Sequence, residues 1–244
     1  LVQTVKQGYP FVFDRVTGEP LFDIEEVPVP SSDVPGERLS PTQPIPVKPP
    51  SFARQGLSED ELIDFTPQLK AKARKILSQY RYGDIYMPPS LAEAEDGTFG
   101  TLFMPSQTGG ANWPGGAVDP ETGIMYIFSK SDVGRMSMSS RPDRSDMDYI
   151  NLQLRTAPRL SVDGLPLIKP PYGQIVALDL NEGEKLWDAV HGETPDYIRN
   201  HPALAGLNIP PTGQAGRVGV LVTKTLVIAG DGGHYTNADG DQEA

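Results

Sequence analysis

The chain has 244 residues with 21 Lys and Arg against 32 Asp and Glu, a net charge of −11; with no Lys/Arg run, this argues against a nucleic-acid backbone as partner. No cysteine is present, which excludes disulfides, zinc–thiolate sites and Cys-x-x-Cys-His haem attachment within the chain, and no apolar run approaches the ~18–20 residues that cross a bilayer. Gly and Pro number 25 each beside 38% hydrophobic residues, a chain heavy in turns yet too apolar to be disordered, as expected of many short strands in an all-β fold.

Residues 2–22 read as a strand pair, with Lys6 just before Gly8-Tyr9-Pro10 and an apolar run at 11–13 entering a turn at 14–18. Pro10 fits the start or the edge of a strand. Residues 23–57 are a proline-rich excursion whose prolines (28, 30, 35, 41, 44, 46, 49 and 50) exclude a long helix and central strands. Ile24, Val27, Val29, Ile45, Val47 and Phe52 would anchor it as an extended crossing over a folded surface; a disordered linker is the competing expectation. Residues 58–80 read as a small helical insert. Ser58 with Glu61 makes a capping-box pattern, and Thr66-Pro67 restarts a helix with Thr as N-cap and Pro in the first turn. Leu69, Ala73, Ile76, Leu77 and Tyr80 then fall on one face, with Lys70, Lys72, Arg74 and Lys75 on a solvated one.

From 81 to 106 the chain returns to strands, expected at 85–87 and 101–104, each ahead of proline. The glycine-rich text Gly109-Gly110-Ala111-Asn112-Trp113-Pro114-Gly115-Gly116 precedes a hairpin turning at Asp119 and a strand at 125–128. Residues 129–172 are polar, carry no sustained periodicity and read as a long loop. Ile175-Val176-Ala177-Leu178-Asp179, a turn at Gly183 and a strand ending on Trp187 make the clearest hairpin, which closes a blade-like unit. Residues 191–211 are a further loop, and 218–223 with 225–229 are two more strands. Leu1 is not a start methionine and the last residues halt in a polar turn, so the sequence is expected to be a piece of a longer protein.

The hairpins repeat. Asp14, Gly18 and Phe22 stand at the same offsets as Asp179, Gly183 and Trp187, and Asp119 with Gly123 makes a weaker copy that reaches Ile127 where the aromatic stood. An aromatic fixed in successive hairpins suggests a packing device between repeats, as between propeller blades. The 177–187 text, ALDLNEGEKLW, resembles the tryptophan-docking motif (Ala-x-Asp-x-x-x-Gly-x-x-x-Trp) of the quinoprotein dehydrogenases, eight-bladed propellers that bind pyrroloquinoline quinone (PQQ). FVFDRVTGEPLF at 11–22 is similar, with Phe22 in the Trp place implying a weaker clamp. EEVPVPSSDVPGERLSPTQPIPVKPPSF at 25–52 resembles the excursion after the corresponding hairpin in membrane-associated PQQ glucose dehydrogenases.

The resemblance implies an all-β fold, part of an eight-bladed β-propeller, with residues 1–244 as a fragment of a single propeller domain. It implies a periplasmic enzyme, joined to the membrane through a missing N-terminal region, that oxidises a sugar or alcohol hydroxyl. A glucose-type substrate is favoured, PQQ and calcium are the cofactors, ubiquinone or another membrane acceptor takes the electrons, and the remaining propeller blades are partners. In the resemblance a Lys or Arg at the place of Lys6 contacts the quinone oxygens and steadies negative charge on reduction; on its own, Lys6 is a surface lysine at a strand start. The 109–123 text is similar to the family's Gly-Gly-x-Asn-Trp stretch, whose Asn, here Asn112, hydrogen-bonds the cofactor. Gly109, Gly110, Gly115 and Gly116 would then let backbone approach a planar ligand; the plain alternative is a glycine-rich turn. Trp113 is either a wall of the site or blade packing, with packing favoured. Gly216-Arg217-Val218-Gly219 lacks the Trp found there in some alcohol-oxidising relatives, which leans away from the methanol type.

The family's catalytic Asp, which would take the hydroxyl proton while hydride passes to the quinone C5, aligns upstream of Leu1, as do the calcium ligands. No catalytic and no metal residue is therefore nominated in this chain. His191, His201 and His234 lack metal-ligand spacing and are expected to be exposed or capping, and Asp231, Asp239 and Asp241 lack the EF-hand order. The rival reading is a non-catalytic propeller of the same repeat type, a protein-interaction scaffold in the cell envelope. The two differ at Lys6 and Asn112, which a scaffold has no need to turn into one cavity.

Overall fold

The computed structural model describes residues 1–92, 94–231, 235–236 and 242–243. In chain order its elements are β1 (Val2–Thr4), β2 (Pro10–Val12), β3 (Ile24–Pro28), β4 (Thr42–Pro46), α1 (Pro67–Leu77), β5 (Ser90–Leu91), β6 (Thr101–Phe103), β7 (Gly116–Asp119), β8 (Ile124–Lys130) and β9 (Gly134–Ser139). Then follow β10 (Ile150–Asn151), β11 (Ser161–Val162), β12 (Leu165–Pro166), β13 (Gly173–Asp179), β14 (Glu184–Val190), α2 (Asp196–Arg199), β15 (Val220–Val222), β16 (Val227–Ala229), β17 (Tyr235–Thr236) and β18 (Gln242–Glu243). Among the described residues no helix is long and apolar enough to cross a membrane.

The organising unit is a four-stranded antiparallel sheet in the order β7-β8-β13-β14, one complete blade. Its two central strands are buried on both faces, which is why 175–178 reads as an unbroken apolar run rather than an alternation. Val176 pairs with Ile127 and Leu178 with Met125, and this face packs on Phe52 and Ala53. Phe128 and Ile175 turn the other way, onto Val218 just ahead of the β15–β16 hairpin. Each apolar side chain of this size, fully buried, contributes about 1.5–3 kcal/mol.

The repeated Asp and Gly have one physical reason. Asp14, Asp119 and Asp179 each accept, through Oδ1, the backbone N–H two residues on, from Val16 (2.8 Å), Glu121 (3.0 Å) and Asn181 (2.8 Å). Their carbonyls accept the N–H of Gly18, Gly123 and Gly183 at 2.8–2.9 Å, and those glycines sit at φ +78, +74 and +69, where a Cβ is strained. The aromatic ending the motif is the docking device. A Cβ on Gly183 would stand 2.9 Å from two carbons of the Phe22 ring and 2.8 Å from Lys48 Cβ, so the first hairpin seats its aromatic on the glycine of the 179–183 turn. Trp187 occupies the same place in its own hairpin; it lies 5.8 Å from the Tyr126 ring and stays 43% exposed.

The proline-rich excursion is an ordered two-stranded antiparallel ribbon of β3 and β4, not a linker. Pro28, Pro44 and Pro46 fall in register with Thr42, Glu26 and Ile24, whereas the neighbouring pairs carry the ladder, with Val29 N–H donating to Pro41 O and Val47 N–H to Asp23 O. Prolines at every second position thus occupy the sites whose N–H points away from the partner strand. The ribbon tip is tied down by Asp33, which accepts from Arg81, and by buried Val34.

Three expectations need correction. The run 85–87 is not a strand: Met87 N–H donates to Asp84 O and closes a turn before Pro88-Pro89, and the strand comes later, at β5. Only half of the capping box at Ser58 forms: Ser58 caps the helical turn at 59–61, its Oγ accepting from Asp60 N–H at 3.3 Å, while the Glu61 carboxylate turns to Arg54. Residues 129–172 are more than a loop. They hold the end of β8 and all of β9 to β12, and Val162, Leu165, Leu167, Ile168 and Tyr172 share one core with Leu57, with Leu62, Ile63, Leu69, Ala73, Leu77 and Tyr80 of the helical insert and with Ile198 and Leu204 beyond the blade. α1 itself forms as read, with Thr66 Oγ1 accepting from Leu69 N–H at 3.2 Å.

Candidate functional site

The loop between β6 and β7 is threaded between the first strand pair and the end of β8. Gly110 N–H donates to Lys6 O (2.9 Å) and Lys130 N–H donates to Gly110 O (2.8 Å). The glycines serve this threading. A Cβ on Gly109 would come 2.8 Å from the Lys6 Cα, one on Gly110 2.4 Å from the Ala53 Cβ, and one on Gly116 2.6 Å from the Met125 methyl. Only Gly115, with nothing within 4 Å of its Cβ direction, borders open space, so close approach to a planar ligand is not what the other three are for.

Asn112 is half-buried at the turn of this loop. Its Nδ2 donates to Thr108 O (2.7 Å), its Oδ1 accepts Trp113 N–H (2.8 Å), and its own carbonyl accepts Gly115 N–H (2.9 Å). One Nδ2 hydrogen remains for another acceptor. Lys6 is exposed, and among the described residues its ammonium makes no hydrogen bond and no ion pair. Trp113 was expected to pack between blades; among the described residues its side chain is 96% exposed. Lys6, Asn112 and Trp113, with Gln3, Thr4 and Gly115, line one cleft of about 350 Å³. The fold thus brings together residues 106 positions apart, Lys6 and Asn112, through the backbone bond at Gly110.

This donor set suits a flat, multiply anionic quinone: one unpaired cation, one spare amide N–H and an aromatic plane at the mouth. A larger cavity, about 620 Å³ between the 131–172 segment and α2, suits it less. Its lone cation, Arg199, is held by Glu193 at 3.0 Å.

Sequence reasoning missed the support beneath Asn112. Lys130, at the end of β8, has its side chain only 11% exposed, and its Nζ donates to Thr108 Oγ1 and to Asp132 Oδ2 (2.8 Å). Ser106 joins this group through its hydroxyl, 3.0 Å from Thr108 Oγ1. A lysine ending a strand gives no signal of this in sequence.

The histidines have structural partners. His191 Nε2 meets Gly230 O at 2.6 Å, and His201 accepts Ala203 N–H through Nδ1 at 3.2 Å, capping a helical turn. No group of three metal-ligating side chains occurs among the described residues; His234, Asp239 and Asp241 lie outside them.

The chain is 28% identical over 96% of its length to a probable quinate dehydrogenase (quinone) of Xanthomonas campestris pv. juglandis, covering 31% of that protein. It is 27% identical over 100% of its length to a glycerol dehydrogenase large subunit of Gluconobacter thailandicus, covering 34%. It is 26% identical over 87% of its length to quinoprotein glucose dehydrogenase A of Acinetobacter calcoaceticus, covering 28%. The chain therefore spans about a third of the length of the curated relatives it matches. The family model "PQQ: Glucose/ethanol/alcohol dehydrogenase, beta-propeller domain" matches residues 1–238, and the chain belongs to this family, as part of its β-propeller.

Proposed function

We propose that the full-length protein is a PQQ-dependent dehydrogenase that oxidises a sugar or alcohol hydroxyl, with a glucose-type substrate favoured and ubiquinone as acceptor, in the periplasm. The observation that carries the cofactor assignment is the cleft shared by the Lys6 ammonium, unpaired among the described residues, the spare Asn112 amide hydrogen and exposed Trp113. PQQ, when bound, supplies the two-electron quinone chemistry, and the protein supplies position and electrostatics. Lys6 would set a positive charge where negative charge grows on the cofactor's oxygens, and Asn112 would donate to one of its acceptors. Calcium ligands and the base that takes the hydroxyl proton belong to the part of the protein outside this chain.

The test is dye-linked oxidation by the full-length protein, with and without PQQ plus calcium. The substrate panel takes glucose, other aldoses and short alcohols, together with glycerol and quinate from the names of the relatives. The reading expects PQQ-dependent turnover, lowered about 10²–10³-fold in kcat by Lys6→Ala. Folded protein that neither binds PQQ nor turns over any substrate would overturn it and leave the scaffold reading.

A further inference from the structure

We propose that Lys130, clamped by Asp132, positions Asn112 through Thr108; this rests on the reading of Asn112 as a cofactor contact. The chain of contacts is continuous. Lys130 Nζ donates to Thr108 Oγ1 and Asp132 Oδ2, Thr108 O accepts from Asn112 Nδ2 at 2.7 Å, and Asp132 Oδ1 accepts Ser106 N–H at 3.4 Å. The main chain of Lys130 holds the same loop from the other side, donating to Gly110 O at 2.8 Å, while Gly110 N–H reaches Lys6 O. Both predicted cofactor contacts are therefore referred to one residue at the rigid end of a central blade strand, through its backbone to Lys6 and through its side chain to Asn112.

A nearly buried ammonium is costly unless it is paired, so its presence needs a reason. Asp132 neutralises it, which removes any long-range role for its charge at the cleft, and it does not line the cleft of Lys6, Asn112 and Trp113. What remains is geometry. One directional hydrogen bond from Lys130 Nζ, beside the Ser106 hydroxyl at 3.0 Å, holds Thr108 Oγ1, and the Thr108 carbonyl uses one Asn112 hydrogen and so determines where the other one points. Lys130 is thus a positioning residue.

The test measures PQQ affinity of the full-length apoprotein by equilibrium titration, with amide hydrogen exchange of residues 106–112 read in the absence of PQQ. Lys130→Met is expected to weaken PQQ binding about tenfold and to speed exchange in 106–112, with Lys130→Arg restoring part of both. Thr108→Val, which keeps the side-chain shape and removes the hydroxyl, is expected to do the same and serves where Lys130→Met does not fold. In a double-mutant cycle, Lys130→Met should add no further loss of affinity on top of Asn112→Ala. Losses that multiply, or a Thr108→Val protein with unchanged affinity, would overturn the positioning role. An Asn112→Ala protein with unchanged PQQ affinity would instead sink the cofactor role of Asn112 on which it rests.

Discussion

The docking of Phe22 on Gly183 gives the sharpest test of how the hairpins hold together, because the chain contains its own control. Gly18 and Gly183 sit in the same turn at φ +78 and +69. A Cβ on Gly18 meets nothing within 4 Å, whereas one on Gly183 meets the Phe22 ring at 2.9 Å and Lys48 Cβ at 2.8 Å. Gly18→Ala should therefore cost only the left-handed strain, about 1–2 kcal/mol. Gly183→Ala should add overpacking of about 1–3 kcal/mol, since Lys48 Cβ is fixed close to its backbone and Lys48 Nζ is held on Glu182 O at 3.0 Å. Urea unfolding of the full-length protein with each variant measures the difference, and a Phe22→Ala background should shrink the excess at Gly183 but leave Gly18→Ala unchanged. Equal costs at the two glycines would refute the claim that the aromatic docks on its neighbour's turn.

Leu102 is fully buried in the core that joins the helical insert to the 160–172 segment, so Leu102→Ala should destabilise by about 2–5 kcal/mol in denaturant unfolding. Arg54 spans Glu61 and Lys169 O at 2.8 Å; Arg54→Met should cost about 1.5–3 kcal/mol and speed amide exchange in 57–63 and 167–172 before the blade is affected. Hydrogen bonds from Thr98, then the Arg81 guanidinium, hold the Asp96 carboxyl down at about 2. A depressed carboxylate stabilises the fold above its unfolded value near ~3.9 and loses that contribution as pH falls towards 2. The stability gap between the wild type and Asp96→Asn should accordingly close between about pH 4 and 2, read by unfolding midpoints across that range.

Much of the blade was legible because its signals are local. Asp and Gly at fixed offsets specify the turns by their own hydrogen bonds and φ, and the apolar run at 175–178 marks a strand covered on both faces. The alternating prolines at 28, 30, 44 and 46 were equally informative, yet their meaning, a ribbon with prolines on its non-bonded positions, depends on a pairing partner that composition cannot name. The 129–172 segment stayed illegible for a related reason. Strands as short as β5 and β10 exist only because β9 lies between them, and Leu165, Leu167 and Ile168 find their core on a helix nearly a hundred residues earlier. At the site, Lys6 and Asn112 were singled out by resemblance alone, and Trp113, expected to pack between blades, finds no cover among the described residues. Lys130 was invisible, since only the folded loop aims Thr108 at it.

The central claim is that Lys6 and Asn112 face one cofactor. It is tested most directly by titrating PQQ into the full-length apoprotein and its Lys6→Ala and Asn112→Ala variants, following cofactor fluorescence at equilibrium. The account predicts saturable binding in the unaltered protein and a loss of about tenfold or more, some 1.4 kcal/mol, in each variant. Unchanged affinity in both variants would contradict it.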